Sequence, residues 1–412
     1  MAFYRIENLK NRWTVHDPSN VPMYLTGMNH LGDGSVYPFD METKYGSRAG
    51  WLADLKAELS DWGINHVGPT LCGHSHSRAY LQPKQRKGQV INPPELLFEG
   101  ADDLDYPFTV IIDLPGNYEI RWQNYPDVFS CEFRDMLDKR IQTLCEPLKD
   151  NPNLIGYFFT HNPQWSHIDL GKVGDFTTWI QRTVGAQNSP ARVEWMHTMQ
   201  QIYGTVERYA KVYYPILDWE EILTMDGPMN GAAGCQWVRE DQIVYTRSVA
   251  KEWYRIWHDT IRKYDPNHLI LGDRNTIHLQ VLPTYILDCM EPYVDALSIN
   301  MMGSAEMMMR NLRPILSYWK KPIFPADVDG RVWDRREKSG AKLRNDEAVG
   351  EFYWDHLRMG IEHPQLIGIA WCSYWETTVH HSGVKDPLTG DVNTTVVNAM
   401  KEANAWAKKE AS

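Results

Sequence analysis

Three apolar runs in this chain stop abruptly in residues that can move protons or attack carbon. The first is LIGYFFTHNPQW, residues 154–165, which ends in Thr160, His161 and Asn162 with Trp165 close behind. The second is KPIFPADVDG, residues 321–330, which ends in Asp327 and Asp329. The third is GIAWCSYWETTVHH, residues 368–381, which carries Trp371, Trp375, Glu376, His380 and His381. Carboxylates of this kind serve as nucleophiles, general bases or general acids, and a pair of them is what glycosidic bond cleavage requires. An imidazole can exchange a proton near neutrality, whereas the Asn162 amide has no readily transferable one.

Further polar residues follow other apolar runs: Asn29 and His30, then His74, His76 and Arg78 in CGHSHSRAY, then Asp113, then Asp273, Arg274 and Asn275, and then Asn300. Together they offer the mixture of donors and acceptors that a polyhydroxylated ligand needs, and tryptophans offer flat faces for sugar rings. Each has a structural alternative, as a satisfied group at a strand end. Arg78 and Arg274 could pair with anionic groups of a ligand, or equally with acidic residues of neighbouring loops. His74 and His76 could both ligate a metal only from a strand or an open loop, and no HExxH helix pattern is present, so no metal is expected. There is no G-x-S-x-G elbow for serine catalysis and no motif for an organic cofactor.

These residues need a scaffold that gathers strand ends. Strand-like apolar runs are expected at 24–30, 65–70, 108–114, 154–162, 268–275, 294–302, 322–327 and 366–375, short and apolar as strands covered on both faces must be. Amphipathic helices fall between them. In RAGWLADLKAELSDWG the residues Trp51, Leu52, Leu55, Leu59 and Trp62 recur at helical spacing before Gly63. In TRSVAKEWYRIWHDTIRKYDPNH the residues Val249, Trp253, Ile256, Trp257 and Ile261 do the same before a turn. Eight βα units predict one α/β domain over 1–412, a single (β/α)8 TIM barrel with elaborated βα loops. A long insertion is expected after the fourth strand at about 163–250, with long polar loops at 71–107 and 328–348. In such a barrel the chemistry sits at the carboxyl ends of the strands, where the residues above fall. An open doubly wound sheet is the alternative, weakened because the glycines of GMNHLGDGS lack the phosphate-loop spacing.

Bulk properties exclude several classes. The 412 residues are 43% hydrophobic and carry a net charge of −11 without a long basic stretch, so nucleic acid is not an expected partner. Seventeen Trp and 21 Tyr exceed what a core alone demands, which fits sugar stacking. The six cysteines are scattered without CxxC spacing and are read as free thiols. No membrane span or leader pattern is evident, so the chain as given is expected to be soluble and cytoplasmic, or periplasmic or secreted if a leader has been removed. The oligomeric state is left open.

Taken together, these residues resemble clan A glycoside hydrolases, most closely the agarase-like enzymes of glycoside hydrolase family 50. NRWTVHDPSNVPMYLTGMNHL is similar to the family's opening, LKAELSDWGINHVG to its first helix and second strand, YDPNHLILGDR to the approach to its fifth strand, and VDALSIN to its sixth. The resemblance implies an acid/base Glu after the fourth strand and a nucleophilic Glu after the seventh. The family's fourth-strand pattern resembles G-Y-F-x-D-N-E-x-x-W. Gly156, Tyr157, Phe158 and Trp165 match it, but the Asp falls on Thr160, the Asn on His161 and the Glu on Asn162. At the seventh strand the Glu position falls on Asp327. The implied scaffold is a retaining glycosidase whose proton donor is replaced and whose nucleophile is one methylene shorter.

Three readings follow. The chain is a glycosidase with a relocated acid, in which Asp327 is the nucleophile or the base for water, and Glu376, Asp329 or His161 gives the proton. The shorter Asp327 leaves room for a water, which favours inversion, and the Trp375 indole would raise the pKa of Glu376. Alternatively it is a carbohydrate lyase or isomerase in which Asn162 orients the substrate. In the third reading it is a non-catalytic carbohydrate-binding relative. The resemblance implies oligosaccharides of a marine galactan such as agar, porphyran or carrageenan as the ligand.

Overall fold

The computed structural model describes residues 2–29, 31, 44–68, 104–114, 125–161, 165, 178–231, 235–277, 282–330, 345–372, 374–375, 383–386 and 389–411. The chain opens with a small antiparallel sheet, β1 (Arg5–Leu9), β2 (Arg12–His16) and β3 (Pro22–Met23), paired in that order. Eight parallel strands then close into a barrel: β4 (Leu25–Met28), β5 (His66–Val67), β6 (Phe108–Ile111), β7 (Leu154–His161), β8 (Leu269–Thr276), β9 (Leu297–Met302), β10 (Ile323–Asp329) and β11 (Gly368–Cys372). Each pairs with the next in chain order, and β11 returns to β4 through Gly368 opposite Leu25. This is the expected (β/α)8 barrel, with every expected strand present.

Strand alternation sorts the core into two layers. Leu25, Ile155, Phe158, Leu269, Leu271, Phe324 and Ala370 fill the barrel, with Phe158 and Phe324 stacked at 6.2 Å. Tyr4 and Val15 of the amino-terminal segment join that cluster, and Trp13 donates through Nε1 to the Lys320 carbonyl just before β10. The small sheet therefore plugs the amino end of the barrel, and the polar strand tips lie at the opposite end. The intervening residues Met28, Tyr157, Phe159, Ile270, Ile299 and Val328 face the surrounding helices.

Those helices form for local reasons. Ser47, Ser130, Ser304, Asn345 and Asn393 each accept a backbone N–H from the first turn of the helix they precede. The longest, Gln236–Tyr264, buries Trp253 and Trp257 against the barrel, with Trp253 stacked on Phe133 at 5.8 Å. Each such ring buried contributes about 1.5–3 kcal/mol of hydrophobic stabilisation. Between β7 and this helix lie the helices Thr178–Gly185, Pro190–Tyr203, Val206–Tyr209 and Glu221–Thr224. The helix before β8 begins at Gln236 rather than near 246, so about its first four turns fall within the stretch expected as insertion. Exposed Trp237 and Val244 in those turns blur the apolar stripe on which the sequence reading depended.

Candidate active site

Asp327 is the centre of the polar cluster at the strand tips. A register shift between Pro325 and Asp327 resets the alternation of β10, so that Asp327 reaches residues of the barrel interior while Val328 faces the helices. One carboxylate oxygen accepts from Asn29 Nδ2 at 3.1 Å and the other lies 3.0 Å from Arg274 Nη2. Both donors also bond the Ala326 carbonyl, at 3.0 Å from Asn29 and 3.1 Å from Arg274. Side-chain exposure is 2% for Arg274 and 4% for Asp327, so this is a desolvated ion pair braced by an amide.

Each partner arrives from a different strand. Asn29 follows β4, with its own N–H donated to the Trp371 carbonyl and its carbonyl accepting from the Tyr374 N–H. Its side chain lies over Gly68, where an added Cβ would meet Asn29 Oδ1 at 1.7 Å. Arg274 comes from β8, where Gly272 at φ +67° shifts the strand so that Arg274 turns toward β10. Asn300 of β9 is in register with Asp327, and Asp329 lies two residues further along β10; both are fully buried. Asn275 donates through Nδ2 to the Asp273 and Ser298 carbonyls, at 2.8 and 3.2 Å. Asp113, at the tip of the third barrel strand, has φ +50° and accepts the Leu114 N–H.

Three residues expected to face a sugar face the helices instead. Asp273 accepts the Thr160 hydroxyl at 2.8 Å and the Thr160 N–H at 3.2 Å on one oxygen, and Trp253 Nε1 at 3.0 Å on the other. Burial pushes its pKa up to about 7 against the donors of Trp253, Thr160 and Tyr254. Trp371 is fully buried against Tyr353 and Phe352 of the helix Asp346–Glu362, which leaves no free ring face. Trp165 donates to the Tyr254 hydroxyl at 3.1 Å and packs edge-on against Trp179. Large indoles at these positions fill the layer between barrel and helices. Trp375 is likewise fully buried, beside Tyr374 and the Lys385 ammonium.

The backbone of His161 pairs with Arg274 across β7 and β8, which puts the fourth-strand tip beside the residue that binds Asp327. His30, His74, His76, Arg78, Asn162, Glu376, His380 and His381 lie outside the described residues. Sequence reasoning missed Gly68, Lys385 and Glu58. Gly68 left a signal, as a glycine directly after a strand that neighbours the one carrying Asn29. The other two are 327 residues apart and become neighbours only in the fold. Among the described residues, no group of three or more His, Cys, Asp or Glu side chains could hold a metal, and no helix is long and apolar enough to cross a membrane.

Solved structures of low sequence identity share this closed (β/α)8 barrel fold. An agarase superposes with a TM-score of 0.77 at 15% identity, over 100% of this chain and 66% of that one. An exo-β-agarase does so with a TM-score of 0.76 at 16% identity, over 100% and 66%. The β-galactosidase from Bacillus circulans sp. alkalophilus gives a TM-score of 0.59 at 11% identity, over 93% and 55%. The chain thus spans just under two thirds of the length of those agarases. No protein-family model and no curated protein matches the sequence.

Proposed function

We propose that this protein is a glycosidase acting on oligosaccharides of an agar, porphyran or carrageenan type galactan, with Asp327 as its reacting carboxylate. The observation that carries this reading is the setting of Asp327. It lies at the carboxyl end of a barrel strand and is held from both sides by Asn29 and Arg274. The guanidinium 3.0 Å away is the counter-charge of a carboxylate, the group that serves as a nucleophile or as a base for water. Similarity of fold to an agarase and an exo-β-agarase supports the galactan class. In this reading Asn29, Arg274 and Asn300 surround the sugar, Asn162 orients it, and His30, His74, His76, Arg78, Asn275 and His380 complete the binding set. The shorter Asp327 leaves room for a water between carboxylate and anomeric carbon, so hydrolysis inverts configuration. The proton comes from Glu376, Asp329 or His161, since the amide of Asn162 has none to give.

The test is release of new reducing ends from a panel of these oligosaccharides, with the anomer of the first product read by NMR. Turnover by the wild-type chain that falls at least about 100-fold in Asp327→Asn supports the assignment. The presence of Asn162 where a proton donor is needed favours one rival, a non-catalytic sugar-binding protein. Calorimetric binding of an oligosaccharide without any turnover across the panel would establish that rival instead.

A further inference from the structure

Lys385 is 1% exposed at its side chain, yet it lies in none of the barrel strands and was in no expected site. Its Nζ lies 2.6 and 2.8 Å from the two carboxylate oxygens of Glu58, on the helix Arg48–Asp61, and 3.2 Å from the Tyr45 hydroxyl. The Tyr374 hydroxyl donates to the same Glu58 carboxylate at 2.6 Å. Nζ also sits 5.3 Å from the centre of the Tyr374 ring and 6.0 Å from that of Trp375. Desolvating such a pair costs about what its attraction returns, so its presence is a poor argument for stability alone.

What the pair does fix is Tyr374. Every polar group of that residue is engaged: its hydroxyl on Glu58, its carbonyl by the N–H groups of Val384 and Lys385, and its own N–H on the Asn29 carbonyl at 3.0 Å. The bonds close a ring from Lys385 through Glu58 and Tyr374 back to the Lys385 backbone. One link out of the ring runs through the Tyr374 N–H to the backbone carbonyl of Asn29, whose side chain holds Asp327.

We propose that Lys385, with Glu58, is a positioning residue that sets Asn29 against Asp327 through Tyr374. The proposal rests on the reading of Asp327 as the reacting carboxylate only for its kinetic consequence; the geometric part stands without it.

The experiment uses the full chain labelled with 15N-asparagine. The Asn29 side-chain amide resonance is assigned by its loss in Asn29→Ser. In Lys385→Met that resonance is expected to move by more than a linewidth. Tyr374→Phe cuts the link without leaving an unpaired charge, and is expected to move it too even if Lys385→Met does not fold. Tyr157→Phe, which removes a hydroxyl bound to Asp265 at the other end of the barrel, should leave it in place. An Asn29 resonance unmoved in Tyr374→Phe overturns the proposal. Where the wild type turns over an oligosaccharide, kcat is expected to drop about tenfold or more in Tyr374→Phe, with KM within threefold. A merely structural loss would not produce that split. A wild type without turnover sinks the proposed activity, while the resonance still decides the positioning role.

Discussion

Arg274 and Asp327 meet at 3.0 Å across the barrel mouth, although they stand on β8 and β10 with β9 between them. The pair is dry, and Asn29 shares the carboxylate. Removing one member strands a buried charge, whereas removing both does not. Arg274→Met is therefore expected to lower stability by about 3–5 kcal/mol. The double variant Arg274→Met/Asp327→Asn should regain a large part of that loss. Denaturant unfolding of the single and double variants measures the coupling, and additive losses would show that the ion pair contributes nothing specific.

Gly68 gives an independent handle on the same carboxylate. A methyl group there would overlap Asn29 Oδ1, so the amide must swing away from Asp327. Gly68→Ala is expected to cost about 1–3 kcal/mol as an overpacked site. Turnover should fall more than this stability loss accounts for when assayed well below the melting temperature. Unchanged turnover would mean that Asn29 is dispensable to Asp327.

Asp273 makes stability depend on pH. Its carboxyl titrates near 3.8 in the unfolded chain and is pushed up to about 7 by burial in the fold. The folded state thus holds a proton that the unfolded state has released between those values. The contribution of this group to stability is full below about 3.8 and is lost as pH rises through about 7. In Asp273→Asn that loss should vanish, so the difference in melting temperature between wild type and variant should narrow from pH 5 to pH 8. The variant is expected to be the less stable at pH 5, because its amide N–H groups oppose the donors of Thr160 or Trp253. A constant difference across the range would rule out titration of Asp273.

Asn162→Glu tests whether the proton donor has simply been lost. With Asp327 one methylene short of a glutamate, a new Glu at 162 does not by itself restore the spacing of about 5–5.5 Å that retaining cleavage needs. No more than a few-fold gain in turnover is expected from the single change. A gain of about 100-fold or more would identify a retaining site that lacks only its acid, and would contradict an inverting mechanism.

Much of this was legible in the residues. Eight apolar runs between turn signals located the eight strands, because parallel strands covered on both faces need continuous apolar residues. The amino-terminal sheet was missed: its strands RIENL and RWTVH are only five residues each and mix polar with apolar residues, and resemble a loop. Asp327, Asn29 and Arg274 were singled out, but so were Asp273, Trp165 and Trp371, which are turned away.

The order of residues sets which types end each strand, and so brings a carboxylate, a guanidinium and an amide within reach of one another. Which way each one points is settled by the fold. A strand's side chains alternate with a period of two, so a single irregular residue exchanges inside for outside. Gly272 and the shift before Asp327 are two such irregularities. They turn Arg274 and Asp327 toward each other and send Asp273 to the helices, an outcome that depends on hydrogen-bond register between strands and not on the order of residues within one.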